Sequence, residues 1–346
     1  EEEPVGGIAD LPPAIPDLQR RLALCRLVSR TRRDADGHPP RPASAALLAG
    51  ALAELLDEVQ TEGLDFAALA DLVSGDLAAH WQITLDFLRV LTDGWPAVLA
   101  SLGCLDPSAR RNALLGAMTE SWAAHPPAGL VIAAGSTGSI PATAALLTVI
   151  AHLPDGMVIL PGLDTTLTAP ERAAIGPTHP QYGMVRLLDR IGIGPEAVGI
   201  WTAGLEPSAS PDRIALIRAA LRPPLADPEG AAAPVFDPTA ALDGVSVLDC
   251  AGPQEEAGAI ALALRHALES PGRTAALVTP DRMLARRVAA ELRRWDIEID
   301  DSAGRPLAST PVGAFLRLAA DCLAQNTAPV ALLSLLKHPL AAGGRV

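Results

Sequence analysis

Lysine is almost missing from this chain. Lys337 is the only one in 346 residues. A G-x-x-x-x-G-K-[ST] phosphate loop needs a lysine to reach the β- and γ-phosphates, so no such loop exists here. Aromatic residues make up only 3% of the chain, with a single tyrosine. Cysteine is scarce as well. Cys25, Cys104, Cys250 and Cys322 stand far apart and form no CxxC or Cys/His spacing. They read as isolated reduced thiols of a cytosolic protein, not as ligands or a disulfide framework. No apolar run approaches the ~18 residues of a membrane span, and no signal peptide opens the chain.

What is present is mostly alanine, leucine and arginine. Nearly half the residues are apolar, 49%, and Ala and Leu favour helices. The length suffices for two or three domains with cores of their own. The formal net charge is -13, which argues against a broad nucleic-acid surface, because phosphate binding is dominated by Lys and Arg. Any such contact has to come from local arginine clusters or from a partner. The chain opens on Glu1 instead of methionine, and its last residues follow a helical segment without a closing element. An internal fragment of a longer protein is expected.

The first region reads as all-helical. From Pro16 to Arg33, Leu18, Leu22, Cys25 and Val28 fall at spacings of three and four, the mark of one apolar stripe. After the loop at 34–42, Ser44 is expected to cap a helix running to about Glu62. Helices follow at Phe66 to Ser74, Ala78 to Thr92, Trp95 to Leu102 and Pro107 to Ala124. The region ends at His125-Pro126-Pro127.

The pattern then changes. Gly129 to Ala134 is a continuous apolar run, as expected of a strand buried on both faces. A polar loop, a helix over Pro141 to Leu153 with proline in its first turn, and a second apolar strand over Met157 to Leu160 complete a βαβ unit. Its strands should be parallel with a right-handed crossover. Helices follow near Tyr182 to Ile191 and Arg213 to Leu221. Residues 222–242, rich in Pro, Ala and Asp, read as a linker. A second α/β region opens with strands over Val245 to Asp249, Ala275 to Thr279 and Ile297 to Ile299. Between and after them come helices over Pro253 to Glu269, Asp281 to Arg294, Thr310 to Ala324 and Val330 to Leu336.

Several constellations invite a chemical reading, each beside a plainer one. Gly135-Ser136-Thr137-Gly138-Ser139 sits between a strand and a helix N-terminus, where backbone N–H groups could hold a phosphate; the plainer reading is a βα turn with Ser139 as cap. No Asp or Glu follows the strand to hold Mg²⁺ and orient water. Thr279 and Asp281 stand at a strand end and helix start. Arg282 and Arg286 share a helix face at i,i+4 and could bind phosphate, or else pair with carboxylates such as Glu291. Arg293, Arg294 and Trp295 could form a stacking unit, or a core tryptophan beside solvated arginines. Asp300 and Asp301, before Ser302 and Arg305, could suggest a metal but fit a polar loop better. His179-Pro180-Gln181-Tyr182 reads as a helix cap. No Ser/His/Asp or Cys/His arrangement stands out.

Three blocks resemble one family. LVIAAGSTGSIPATAALLTVIAHLPDGMVILPGLD at 130–164, HPQYGMVRLLDRIG at 179–192, and the 273–318 stretch with its continuation LLSLLKHPL at 332–340 are similar to the alphaproteobacterial AddB subunit of the AddAB helicase–nuclease. The resemblance implies an α/β fold of superfamily-1 helicase-like, RecA-type lobes with parallel sheets and an inserted all-helical domain. Residues 1–127 would be the helical 1B-like domain, 128–222 the return to the first lobe, 223–242 a linker, and 243–346 the start of the second lobe with a helical extension. It implies a motor-inactive scaffold that binds or scans single-stranded DNA during double-strand break repair, partnered by an AddA-like subunit at DNA ends in the bacterial cytoplasm, near the nucleoid. It implies no cofactor in this stretch; ATP with magnesium and an iron–sulphur cluster belong to the parent complex, whose nuclease motif is absent here. Arg286 would lie near an arginine of helicase motif IV. The DNA- or phosphate-binding candidates are Ser136, Thr137, Thr279, Arg282, Arg286 and Arg305, with no catalytic residue expected. A protein-interaction scaffold without DNA contact and part of an active helicase remain as alternatives.

Overall fold

The computed structural model describes residues 11–31, 38–64, 90–201, 210–223 and 235–341. The helices expected at 66–74 and over most of 78–92 lie outside the described residues. The chain divides into two compact units, Glu1–Asp243 and Gly244–Val346. The described residues are mostly helical, with one two-stranded parallel sheet among them.

The first unit begins with α1 (Asp17–Thr31), α2 (Pro42–Glu62), α3 (Trp95–Leu102) and α4 (Pro107–Ala124). Its core joins Ile15, Leu24 and Val28 to Ala45, Ala49, Leu52, Ala53 and Leu56 of α2, with Leu91 and Trp95. Burying one such Leu contributes roughly 1.5–3 kcal/mol. The buried face of α1 is Arg20, Leu24 and Val28; of the expected stripe, Val28 is buried and Cys25 packs beside the core, whereas the two leucines are not. Leu18 is 70% exposed and Leu22 52%. A helix repeating every 3.6 residues can carry two apolar stripes, and periodicity does not choose between them. The small residues of α2 and the partners of Arg20 make the choice. The start of α2 also differs: Pro42 opens the helix after Arg41, with no side-chain cap from Ser44.

Arg20 is 6% exposed and sits between two carboxylates. It donates from Nη1 and Nη2 to Asp57 at 2.8 and 3.0 Å and from Nη2 to the Ala53 carbonyl at 3.3 Å. Its Nε lies 2.7 Å from Asp106 Oδ1. Trp95 and Gln60 donate to Asp106 Oδ2 at 2.7 and 3.0 Å, and Ser108 donates to Asp57 at 2.9 Å. Burial opposes the Arg20 charge, but hydrogen bonding to Asp57 and the charges of Asp106 and Asp57 outweigh it and raise its pKa.

The expected βαβ unit is present. β1 (Val131–Ala134) and β2 (Gly156–Ile159) are adjacent and parallel, with Ala133 opposite Val158 and Ala134 opposite Ile159. α5 (Pro141–His152) connects them. The expectation of burial on both faces is corrected: Ile132 is 49% exposed, and alternate residues of β1 face outward. With two strands, only one face is covered. Ala133, Val158 and Leu160 pack there against Ala144 and Leu147 of α5 and against Leu187.

The unit continues with α6 (Ala169–Ala174), α7 (Tyr182–Ile191), α8 (Pro211–Ala220) and α9 (Pro238–Ala241). The last lies within the stretch read as a linker. Asp237 caps it by accepting from Thr239 N–H at 2.9 Å, and Arg213 of α8 donates to its Ala241 carbonyl at 3.0 Å.

In the second unit, α10 (Pro253–Leu268) and α11 (Arg282–Arg293) are followed by α12 (Pro311–Ala324) and α13 (Pro329–Leu336). α10 and α11 pack through Ala257, Ala261, Leu284, Val288 and Leu292, flanked by Leu277, Trp295 and Ile297. The three strands expected here form no ladder. Val245 to Asp249, Ala275 to Thr279 and Ile297 to Ile299 run as extended chain, with Val247 91% and Val278 94% exposed. Apolar, β-branched sequence supplies extended backbone, but a strand also needs a neighbour at about 4.8 Å to take its hydrogen bonds. No described residue takes that position.

Candidate phosphate-binding groove

The groove lies on the polar side of α11. Leu284, Val288 and Leu292 recur at every fourth residue and turn inward, which sends Arg282, Arg286 and Arg293 to the other side. Asp281 starts the helix by accepting from Met283 N–H at 2.7 Å, and Thr279 Oγ1 accepts from Asp281 N–H at 3.1 Å. An aspartate there also suits the positive end of the helix.

Facing α11 is the loop that follows Ile297. Asp301 organises it by accepting from Ala303 N–H at 3.0 Å, and its carbonyl accepts from Gly304 N–H at 2.8 Å. Gly304 turns the chain at φ +63°, a conformation a side chain would disfavour. Helix and loop are fastened by one pair: Arg282 donates from Nη1 and Nη2 to the two oxygens of Asp301, at 3.0 and 2.7 Å. The fork matches the carboxylate, a geometry open to Arg and not to Lys. Hydrogen bonding from Arg282 and from Ala303 N–H holds the Asp301 carboxyl below the usual range, while the same pairing raises Arg282.

This pair stands between two contiguous cavities. The smaller, about 480 Å³, is lined by Thr279, Arg282, Asp300 and Asp301 with apolar residues of both helices. The larger, about 760 Å³, is lined by Arg282, Arg286, Arg293, Glu298, Asp301, Arg305 and Ser309 over a floor of Ala285, Ala289 and Ala290. Four of the six candidates, Thr279, Arg282, Arg286 and Arg305, therefore line one continuous surface. Arg286, Arg293 and Arg305 are exposed and form no ion pair among the described residues. Such a groove can hold an anion carrying several phosphates. It contains no nucleophile with an adjacent base and no metal-holding group of His, Cys, Asp and Glu among the described residues.

The other two candidates belong to the first unit. Ser136 Oγ accepts from Gly138 N–H at 3.3 Å, and Thr137 donates to Ser139 Oγ at 3.4 Å. Their loop seats α7: a side chain on Gly183 would come within 3.1 Å of the Thr137 carbonyl, and one on Gly138 within 2.9 Å of Leu187. Ser139 is not the cap of α5. Ile140 occupies that position without a side-chain bond. The loop is a packed βα turn.

Two residues of the groove escaped the sequence reading. Arg293 follows Arg286 by seven positions and so shares its face, a signal present in the spacing but read as part of a stacking unit with Trp295. Trp295 instead packs on the α10–α11 core and has Arg265 over its ring at 5.0 Å. Glu298 carried no signal, because only the path of the loop decides which wall it joins. Glu291, a plausible partner for Arg282, pairs with Arg294 at 2.9 Å. No protein-family model and no curated protein matches the chain.

Proposed function

We propose that this chain is a non-hydrolysing, helicase-like scaffold from a subunit of a DNA double-strand break repair helicase–nuclease, and that it binds single-stranded DNA. The observation that carries the reading is the groove of α11: four arginines gathered around a cavity of about 760 Å³ in a chain of net charge -13. Local positive charge against a negative background steers a polyanion to one place. The resemblance to AddB supplies the biological setting. In it, the helices α1 to α4 belong to an inserted 1B-like domain, β1–α5–β2 to the first RecA-type lobe, and the second unit to the start of the second lobe. An AddA-like subunit is the partner, DNA ends are the substrate, and the bacterial cytoplasm near the nucleoid is the location. Among the described residues, no helix is long and apolar enough to cross a membrane.

The residues present do not fit the cofactors of such a complex. Lys337 is the only lysine, β1 is followed by Gly135 and Ser136 instead of an acidic pair, and the cysteines stand apart. Nucleotide hydrolysis and the cluster are assigned elsewhere in the complex. The test is a titration of labelled single strands against the chain with and without the AddA-like subunit, at several salt concentrations. Saturable binding whose affinity falls with salt supports the reading; no binding in either form overturns it.

A second reading, a protein-interaction scaffold, is favoured by one observation. Leu18 and Leu22 of α1 border a groove of about 610 Å³ with Leu27, Val98 and Leu102, and Arg26 and Arg30 at its edge have no ion-pair partner among the described residues. Apolar area of this kind suits a protein partner.

A further inference from the structure

The groove of α11 has two walls of opposite sign. The helix presents Arg282, Arg286 and Arg293; the loop opposite presents Glu298 and Asp301 with one cation, Arg305, so its side stays net negative. Both oxygens of Asp301 are taken by Arg282. Glu298 is exposed, lines both cavities, and has no hydrogen-bond or ion-pair partner among the described residues.

We infer that Glu298 is a base-selecting residue: a single strand lies with its phosphates along α11 and its base edges toward Glu298, which prefers bases that present an exocyclic amine. This rests on the nucleic-acid reading given above. The orientation follows from charge. Phosphates are drawn to the guanidiniums and repelled by carboxylates, so a strand turned the other way would set like charges together. Arg286 and Arg293, which have no ion-pair partner among the described residues, are seven residues apart, an advance of about 10 Å along a helix, and set the run of the strand's backbone. The floor cannot read bases, because Ala285, Ala289 and Ala290 end in methyl groups. Ser309 both donates and accepts and so does not discriminate.

An ionised carboxylate only accepts hydrogen bonds. The N4 amine of cytosine donates to it, whereas thymine presents the O4 acceptor at the same place and is repelled. The two pyrimidines are of similar size, so the comparison isolates that one group. The preference is for amine-bearing bases in general, since adenine also carries an exocyclic donor.

The experiment uses the whole 346-residue chain and fluorescein-labelled oligo(dC) and oligo(dT) of about 12 nucleotides, followed by fluorescence anisotropy at fixed salt. Oligo(dC) is expected to bind about five- to tenfold tighter than oligo(dT), the lower part of the range for a good base contact. Glu298→Gln should bring the ratio close to one by improving oligo(dT) binding, because an amide both donates and accepts. Arg286→Ala should weaken both strands and leave the ratio unchanged. Equal binding of the two strands by the parent chain, with Arg286→Ala still weakening both, overturns the role of Glu298 and leaves the backbone-binding groove intact. A preference that survives Glu298→Gln also overturns it. Binding of neither strand, by the chain alone or together with the AddA-like subunit, overturns both this inference and the nucleic-acid reading. Glu298 is exposed, so circular dichroism of the Gln variant should match that of the parent chain.

Discussion

Arg20 Nε lies 2.7 Å from Asp106 Oδ1, and both side chains are buried, at 7% and 0% exposure. Trp95 completes the site by donating its indole N–H to the other oxygen of Asp106. An arginine placed among Leu24, Val28 and the alanines of α2 is tolerated only because carboxylates meet it there. Asp106→Asn leaves that charge without its nearest counter-charge. A loss of about 3–5 kcal/mol in unfolding free energy is expected, measured by urea denaturation of the two chains at neutral pH. A loss below about 1 kcal/mol would mean that Asp57 alone suffices.

The same cluster sets an acid limit. Burial pushes the Asp57 carboxyl up, but hydrogen bonds from Arg20 and Ser108 and the charge of Arg20 outweigh this and lower it. A carboxyl lowered by folding stabilises the fold above its unfolded pKa, near 3.9, and that contribution disappears as the pH falls through the lower, folded value. Stability should therefore be insensitive to this group above about pH 5 and should fall below about pH 4. In Asp57→Asn that part of the acid dependence should vanish. Asp57 is partly exposed, so the effect is smaller than for a buried pair. Thermal midpoints from pH 2 to 7 check it.

Freeing Arg282 should strengthen the groove. Asp301→Asn removes the carboxylate that holds its guanidinium at 2.7 and 3.0 Å. The expected result is tighter binding of single strands and a steeper dependence on salt, by about 0.7 in log–log slope for each further phosphate neutralised. Weaker binding would show that Asp301 positions Arg282 for the ligand instead of competing with it.

Removing Arg286 and Arg305 together should act the other way. Neither has an ion-pair partner among the described residues, so the double alanine variant should fold with an unchanged thermal midpoint. Its affinity for single strands should drop, and the salt slope should flatten by about 1.4 if both touch phosphates. A drop in affinity with an unchanged slope would point to lost packing, because counterion release would be unaltered.

Gly156 begins β2 where no side chain fits. A Cβ there would lie 1.8 Å from the Ile150 carbonyl oxygen and 2.9 Å from Leu153 Cβ. Gly156→Ala must move the end of α5 or the strand, and a loss of about 3 kcal/mol is expected. Differential scanning calorimetry against the parent chain measures it.

The chain by itself should hydrolyse neither ATP nor DNA. The reasons are the single lysine, Lys337, the absence of an acidic pair directly after β1, and the absence of a nuclease motif from the sequence. The measurement is phosphate release and nuclease turnover in a preparation freed of contaminating enzymes. Turnover above background would return the active-helicase alternative.

Helices of this chain were legible from spacing and composition, because a helix satisfies its own backbone and needs only local residues. Pro107–Ala124 and Tyr182–Ile191 occur as read, and β1 and β2 pair in parallel because the helical crossover between them brings the chain back to start the second strand in the same direction. Arg282 and Arg286 were legible as one face for the same local reason. Three features were decided by tertiary structure. Which stripe of α1 is buried depended on α2 and on carboxylates 37 and 86 positions away in sequence from Arg20. Whether Val245 to Asp249 or Ala275 to Thr279 becomes a strand depended on a hydrogen-bonding neighbour, which no residue of the segment can supply for itself. And the union of Arg305, Glu298 and Asp301 with the arginines of α11 in one groove depended on the path of the loop after Ile297, fastened by the Arg282–Asp301 pair, because contacts between helix and loop are set in space and leave no period in the sequence.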